Sequence, residues 1–156
     1  MSTRKMQDGP VTDKSQYLPL FLEEADEVLA LLGKGERQLM DGRGGGNDIR
    51  PVLQGLHRAA HTLKGSALML GFEVLGDLAS ALERVFARVR DGQVPITEQL
   101  GAQIRAAVEA LSTLKRDIAA GGAGDADTTR AMDGLAPYLA ASSPAARRGG
   151  PRRAAA

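Results

Sequence analysis

Apolar residues recur every three or four positions through most of this chain, and short glycine-containing breaks divide the pattern into segments. In the first segment, which begins at Tyr17, the steps between apolar residues are four, four, three and four. Such spacing places apolar side chains on one face of an α-helix. Alanine and leucine supply 45 of the 156 residues, whereas the β-branched valine and isoleucine supply 12, and this balance favours helices over strands. The pattern therefore predicts an all-α fold.

Two glycines interrupt the first predicted helix near its C-terminal end. Gly33 and Gly35 weaken this end because glycine is a poor helix former, and they could shorten the helix. Leu39 and Met40 could nevertheless continue its apolar face. Residues 41–47 are glycine-rich and polar, which predicts a loop.

Four further helices are predicted after this loop, at 49–70, 72–90, 97–120 and, for a short fifth helix, 127–139. Asn47 or Asp48 can cap the first of them. Gly71 can end it in the left-handed conformation, and Thr97 can cap the fourth helix of the chain. Because the connections are short, neighbouring helices should be antiparallel, so we predict a four-helix bundle with the fifth helix beside it.

The charged residues divide the chain into a body and two ends. Residues 1–15 carry three basic and two acidic side chains, and the Ala/Pro/Arg-rich segment 142–156 carries four arginines and no acid. The body, residues 16–141, therefore has a net charge of −4, although the whole chain has +1. We predict a flexible lead, one folded domain and a linker or tail. An acidic body with few aromatic residues is not expected to bind nucleic acid.

Several classes of protein are excluded by what the sequence lacks. The absence of cysteine excludes a disulfide scaffold and a Cys-based zinc site. There is no apolar run long enough for a membrane span, and the first residues lack the apolar core of a signal peptide, so the predicted location is cytoplasmic. No nucleotide-binding loop is present, so this chain alone is not expected to bind ATP tightly or to act as a catalyst.

His61 lies far from the apolar face of its predicted helix and should be exposed. On a helical wheel the core-facing residues cluster roughly 140° away from it. Lys64, one turn later, can hold an anion beside the ring. Gly65 removes a side chain that would crowd the ring, at a cost of about 1 kcal/mol in helix propensity, although a close helix crossing could also explain it.

Glu83 should reach His61 across the helical hairpin that Gly71 creates. His61 is ten residues before Gly71 and Glu83 is twelve after it, so in antiparallel helices that rise about 1.5 Å per residue they lie at similar heights. A carboxylate that accepts a hydrogen bond from Nδ1–H leaves Nε2 free and makes it a better nucleophile. The alternative is that Glu83 forms a surface salt bridge with Lys64 or Arg84.

The segment His57-Arg-Ala-Ala-His61-Thr-Leu-Lys64-Gly65, with Gly-Phe at 71–72, resembles the signature of histidine phosphotransfer (HPt) domains. Its form most resembles the N-terminal phosphorylatable domain of chemotaxis-type (CheA-like) histidine kinases. The helix that begins at Tyr17 is similar to the opening helix of those domains. The resemblance covers about residues 17–140 and implies the HPt fold, an antiparallel four-helix bundle with a fifth short helix.

The resemblance also implies a function. His61 would accept a phosphoryl group at Nε2 from a kinase domain that uses ATP, and would pass it to an aspartate of a response-regulator receiver domain. Lys64 would neutralise the phosphoryl oxygens, Glu83 would orient the imidazole and Gly65 would give the partner access. The chain would bind no cofactor. It would be a phosphocarrier, either the N-terminal domain of a CheA-like kinase or a free-standing phosphorelay protein.

Two residues depart from the family's pattern. Ser80 stands one turn before Glu83, where chemotaxis kinases often have a second histidine, and this predicts a simpler hydrogen-bond network. His57 stands four residues before the phosphoacceptor, where those kinases often have an aromatic residue. The sequence assigns His57 no role.

Two other functions stay open on the residues alone. His57 and His61 have the i, i+4 spacing that allows two imidazoles on a helix to bind zinc, with Glu83 or another helix supplying a third ligand. The segment lacks the general-base glutamate of the metalloprotease motif. The other possibility is a structural interaction domain with Leu68 and Met69 in a docking patch, and this patch is also compatible with docking of a receiver domain.

Overall fold

Five α-helices make up most of the part of the chain that the computed structural model describes, which is residues 16–42 and 48–140. They are α1 (Leu18–Gly42), α2 (Arg50–Met69), α3 (Glu73–Arg90), α4 (Glu98–Ala119) and α5 (Thr129–Ala140). These ranges contain no strand, so the all-α prediction is confirmed. None of the helices is long and apolar enough to cross a membrane. Residues 41 and 42 of the predicted loop belong to α1. The predictions for residues 1–15, 43–47 and 142–156 lie outside the described residues.

Helices α1 to α4 form a four-membered ring, in which α1 packs on α2 and α4, and α3 packs on α2 and α4. Pairs of contacts show their directions. Between α1 and α2, Ser66 donates to Glu24, and Gly35 lies against Leu56. Residue numbers that rise along α1 while they fall along α2 require the two helices to be antiparallel.

Contacts of the same kind give the directions of two more of the four pairings, and these directions make α3 antiparallel to α4 as well. Between α1 and α4, Lys115 pairs with Asp26, and Arg105 pairs with Glu36, so these helices are also antiparallel. Between α2 and α3, Leu68 lies against Gly76 near the turn, and His61 meets Glu83 further along. The antiparallel four-helix bundle is therefore confirmed, and α5 packs beside it against α3 and α4.

The core lies where the predicted apolar faces of the helices meet. The apolar spacing predicts seven core positions in the segment of α2 and seven in that of α4, namely Ile49, Leu53, Leu56, Ala60, Leu63, Ala67 and Leu70, and Ile96, Leu100, Ile104, Ala107, Leu111, Leu114 and Ile118. Six of each seven are buried, and Ile49 and Ile96, which precede the two helices, are partly exposed. The largest side chains with almost no exposed surface are Phe86, Leu32, Leu39, Leu63, Leu75, Leu78, Leu82, Leu100, Ile104, Leu111, Leu114 and Ile118. Because these faces are buried, the side chains on the opposite face of α2 are exposed to solvent.

The turn between α2 and α3 sets the register of the functional site. Gly71 has φ 87°, the left-handed conformation that glycine adopts without strain. The Phe72 N–H donates to the carbonyl of Ala67 at 2.9 Å, which closes the end of α2. At the start of α4, Thr97 is the N-cap, as predicted. At the start of α2 the N-cap position is Ile49 and not Asp48, but Asp48 Oδ1 accepts a hydrogen bond from the Arg50 N–H.

The expectation that Gly33 and Gly35 shorten the first helix is wrong, because α1 continues through both to Gly42. A Cβ at position 35 would lie 2.5 Å from Cδ2 of the buried Leu56. Gly35 is thus needed for the close approach of α2, and packing between the two helices offsets its poor helix propensity. At position 33 the nearest atom is Arg37 Nη1, at an ordinary 3.7 Å.

These two glycines should respond in opposite directions to the same substitution. We expect Gly33→Ala to raise the free energy of unfolding by about 1 kcal/mol through helix propensity. Gly35→Ala has the same propensity gain but pushes Leu56 out of place, and overpacking of this kind costs about 1–3 kcal/mol, so the net effect should be destabilising. Urea denaturation followed by circular dichroism measures both. Equal stabilisation by the two alanines would show that Gly35 does not mark a close approach.

Candidate functional site

His61 lies in the second half of α2, on the side of the helix that faces α3 and solvent. Its side chain is 62% exposed, as its position on the helical wheel predicted. The residues that point to the core from this part of α2, Ala60, Leu63 and Ala67, are all buried. The amphipathic pattern of α2 therefore holds the imidazole at the surface.

Glu83 reaches His61 from α3, and its side chain is only 13% exposed. Its Oε2 lies 2.8 Å from Nδ1 of His61. An ionised carboxylate can only accept, so Nδ1 carries the hydrogen and donates it to Glu83. In a neutral imidazole this leaves Nε2 with a free lone pair. The contact predicted from the hairpin register is thus present, and it orients the ring with Nε2 available.

Lys64 contacts the other oxygen of the same carboxylate. Its Nζ lies 2.7 Å from Glu83 Oε1, in an ion pair without the alignment of a good hydrogen bond, and its side chain is 28% exposed. The sequence left open whether Glu83 would bind His61 or form a salt bridge with Lys64, and the structure shows both. Arg84, the other predicted salt-bridge partner, is exposed on α3.

The charge state of Glu83 follows from these contacts. Partial burial opposes its ionisation most strongly, but the contacts with Lys64 and His61 together outweigh burial, so the pKa of this carboxyl lies below its ordinary value. Glu83 is therefore ionised at neutral pH. A fixed negative charge lies 2.8 Å from Nδ1, where it can stabilise positive charge that develops on the ring.

His57 is the residue of the site that sequence reasoning missed. Its Nε2 lies 3.7 Å from Glu83 Oε2, the same oxygen that His61 contacts, and its side chain is 29% exposed. Residues 57 and 64 are seven apart, which is close to two helical turns, so both point toward the same side of α2. The helical wheel that placed Lys64 near the site could therefore have found His57 as well. Where a second histidine on α3 is absent and Ser80 stands, an imidazole from α2 approaches Glu83, but at 3.7 Å it lies beyond hydrogen-bond distance.

Gly65 leaves open space one turn beyond His61. No atom lies within 4 Å of where its Cβ would be. A close helix crossing, the packing explanation for this glycine, is therefore wrong. No contact within the described residues requires a glycine here. Because glycine has no side chain, a partner can approach the imidazole more closely on this side.

The two predicted docking residues, Leu68 and Met69, differ in exposure and in their contacts with α3. Met69 is 75% exposed and projects from the end of α2. Leu68 is 45% exposed but also packs on α3, because a Cβ at Gly76 would lie 2.5 Å from its Cδ2. Both place apolar surface near the end of α2, about two turns from His61.

The zinc hypothesis gains no support from this geometry. In residues 16–42 and 48–140 no group of three His, Cys, Asp or Glu side chains is arranged to hold a metal ion. His61 directs Nδ1 at the Glu83 carboxylate, and His57 lies 3.7 Å from the same oxygen. Their arrangement is that of two imidazoles on one carboxylate oxygen, one hydrogen-bonded to it and the other in longer contact.

The fold and the site together define a class of protein, a helical bundle that presents one exposed histidine oriented by a carboxylate. Comparison with known proteins identifies the family. The model of the Hpt domain matches residues 16–114. The chain belongs to the Hpt domain family, and it is a histidine phosphotransfer module of two-component signalling, as the resemblance implied.

Curated relatives of the chain are chemotaxis proteins. The chemotaxis protein CheA of Listeria monocytogenes is 34% identical over 125 residues, which cover 80% of this chain and 20% of that protein. CheA of Bacillus subtilis is 30% identical over 122 residues, with 74% and 16% covered. CheA of Halobacterium salinarum is 28% identical over 123 residues, with 79% and 18% covered. The chain thus spans about a fifth or less of the length of these relatives.

Proposed function

We propose that His61 is the phosphoacceptor of this module. A kinase domain that binds ATP donates the phosphoryl group to Nε2, and an aspartate of a response-regulator receiver domain takes it from there. The observation that carries the proposal is the exposed imidazole whose Nδ1 lies 2.8 Å from the Glu83 carboxylate. Exposure lets two different partners reach Nε2, and the carboxylate selects the tautomer in which Nε2 is a nucleophile.

The bond changes in this reaction explain the need for Glu83. The lone pair of Nε2 attacks the γ-phosphorus of ATP, the N–P bond forms, and the P–O bond to the leaving ADP breaks. Nδ1 keeps its hydrogen, so the phosphorylated ring becomes an imidazolium. Its positive charge lies beside the ionised Glu83, which stabilises the charge as it develops. In transfer to the receiver, an aspartate carboxylate oxygen attacks the phosphorus, the new O–P bond forms, and the N–P bond breaks. The ring returns to the neutral imidazole with its hydrogen on Nδ1.

Lys64 has two possible anionic partners in this scheme. In the unphosphorylated chain its ammonium contacts Glu83 Oε1 at 2.7 Å. We propose that it turns toward the phosphoryl oxygens when His61 is phosphorylated, because a phosphoryl group brings more negative charge than one carboxylate. The flexible lysine stem allows this movement without a change in α2.

The partner domains are proposed to dock over Gly65 and the exposed apolar surface of Leu68 and Met69. The open space above Gly65 admits a receiver or kinase surface to the imidazole, and the two apolar side chains supply area that docking would bury.

A matched pair of glycines separates access from helix stability. Gly55 and Gly65 both lie in α2, both are exposed, and a Cβ at either would meet nothing within 4 Å. We expect Gly55→Ala and Gly65→Ala each to raise the free energy of unfolding by about 1 kcal/mol. Only Gly65→Ala should slow phosphotransfer, by about tenfold if the methyl group holds a partner off by an ångström.

Stopped-flow or quench-flow transfer to a receiver domain, alongside urea denaturation, measures both properties. If both variants transferred the phosphoryl group more slowly, a more rigid α2 would be the cause. If neither did, Gly65 would have no role in partner access.

The larger setting is proposed from the relatives. The relatives are chemotaxis proteins named CheA and are about five times longer than the region matched. We therefore propose that this module is the N-terminal domain of a CheA-like kinase. A free-standing phosphorelay protein is the second candidate. ATP is then a substrate of the kinase domain, and this chain contributes only the phosphoacceptor.

Labelling with ATP and the kinase core of a chemotaxis-type relative tests the proposed function. The chain should gain a phosphoryl group that is labile in acid and stable in base, the behaviour of a phosphoramidate bond. Addition of a receiver domain should then remove it. A purely structural interaction domain would bind partners without gaining label.

A further inference from the structure

Three side chains of α2 converge on one carboxylate of α3. His57, His61 and Lys64 stand at steps of four and three residues, and each has a nitrogen within 4 Å of Glu83. Lys64 contacts Oε1, whereas both histidines approach Oε2. All three groups come from α2, the helix packed against this face of α3. His57 is the member of this cluster that the phosphotransfer scheme leaves unused.

The two histidines are not equivalent. His61 is 62% exposed and makes a short contact of 2.8 Å, whereas His57 is 29% exposed and lies 3.7 Å from the shared oxygen. At that distance His57 makes no hydrogen bond, but a carboxylate oxygen has two lone pairs and His61 uses only one. A small rotation of His57 would bring its Nε2–H onto the second lone pair. Its lower exposure makes it a poor target for a docked phosphoryl donor.

We infer that His57 is a positioning residue, a reserve donor that holds the Glu83 carboxylate on His61 when Lys64 turns toward the phosphoryl group. This inference rests on the proposed function. In the unphosphorylated chain Lys64 fixes Oε1 and His61 fixes Oε2. When Lys64 leaves, Glu83 would be free to follow it and release Nδ1. A contact between His57 and Oε2 keeps the carboxylate in place while the ring carries positive charge.

Two substitutions of His57 separate the effect of its N–H donor from the effect of its ring. His57→Phe keeps a planar ring and removes every donor. His57→Gln keeps an N–H donor close to the position of Nε2 and removes the ring. Thermal unfolding of both variants establishes that they fold. The phosphoryl donor is potassium phosphoramidate, because it needs no docking surface. Nε2 attacks its phosphorus, the N–P bond to His61 forms, and the original P–N bond breaks with release of ammonia.

The two measurements are the labelling rate and, in a Lys64→Ala background, the ring ¹⁵N shifts of His61. Removal of Lys64 reproduces the state in which Glu83 Oε1 has lost its ammonium partner. We expect His57→Phe to slow labelling by about twofold to fivefold, the range of a partly exposed ion contact, and to lower the fraction of Nδ1–H tautomer. His57→Gln should restore both to within about twofold of the wild type. Wild-type rate and tautomer in His57→Phe would overturn the inference, as would a glutamine variant as impaired as phenylalanine.

The failure of this inference is distinguishable from failure of the proposed function. If the wild-type chain takes up no phosphoryl group at His61, the proposed function is wrong and the inference falls with it. If His61 is labelled equally in all three proteins, only the role of His57 is lost. The ¹⁵N measurement on the unphosphorylated Lys64→Ala chain tests the contact between His57 and Glu83 without any phosphoryl donor.

Discussion

Replacement of His61 by glutamine should abolish phosphorylation of this chain by ATP and a chemotaxis-type kinase core. Glutamine preserves an amide of similar size and can still accept or donate hydrogen bonds, but it has no lone pair nucleophilic enough to attack phosphorus. Since His61 is 62% exposed, its loss should change the free energy of unfolding by less than about 1 kcal/mol. Radiolabel incorporation from ATP measures the effect, and circular dichroism confirms the fold.

His57→Gln is the matched control for this experiment. It makes the same chemical change four residues away, on the same side of the same helix and beside the same carboxylate. The control protein should still be labelled. Undiminished labelling of the His61 variant, or complete loss of labelling in the His57 variant, would contradict the assignment of the phosphoacceptor.

Replacement of Glu83 should have the second largest effect. Glu83→Ala removes the hydrogen bond that selects the tautomer and the charge that stabilises the phosphorylated ring, so we expect phosphorylation to slow by about 10- to 100-fold. Glu83→Gln keeps an oxygen that can accept from Nδ1–H and loses only the charge, so it should be the less impaired of the two. Initial rates of labelling at saturating kinase and ATP measure this order.

Asp77→Ala is the control, because Asp77 is an exposed carboxylate on the same helix. It should leave the labelling rate unchanged. Equal rates for the wild type and both Glu83 variants would show that the observed contact with His61 plays no part in the reaction.

The lowered pKa of Glu83 adds a dependence on pH. A carboxyl whose pKa is lower in the folded state stabilises the fold above the pKa of the unfolded chain, and this contribution is lost as the pH falls through the folded pKa. Glu83→Gln should therefore be less stable than the wild type at neutral pH, and the difference should close in acid. Urea denaturation of both proteins at neutral and at acidic pH tests this. If the difference in the free energy of unfolding were the same at both pH values, it would come from packing and not from the charge of Glu83.

Much of the site could be predicted because it depends on helix geometry and one turn. Periodicity placed His61 on the exposed face of α2, and Gly71 fixed the point at which the chain reverses. Those two facts were enough to bring Glu83 to the height of His61, and the contact is present at 2.8 Å. The same wheel placed Lys64 and Gly65 beside the imidazole.

What could not be predicted depends on side-chain choice and on distances between helices. Lys64 had two possible anions, Glu83 or a future phosphoryl group, and only coordinates show that it pairs with Glu83 in the unphosphorylated chain. His57 has the right angular position, but its distance from Oε2 depends on how closely α2 and α3 approach. Gly35 reads as a helix breaker in the sequence, and its role appears only when Leu56 is seen packed against it.

In the proposed mechanism Nε2 of His61 carries the phosphoryl group while Nδ1 remains bound to Glu83. Two-dimensional ¹H–³¹P and ¹H–¹⁵N NMR of the phosphorylated chain, labelled with ¹⁵N in histidine, observes both nitrogens. We expect a ³¹P-coupled Nε2 and a protonated Nδ1 on His61, with the ring of His57 unmodified. A phosphoryl group on Nδ1 of His61, or on either nitrogen of His57, would contradict it.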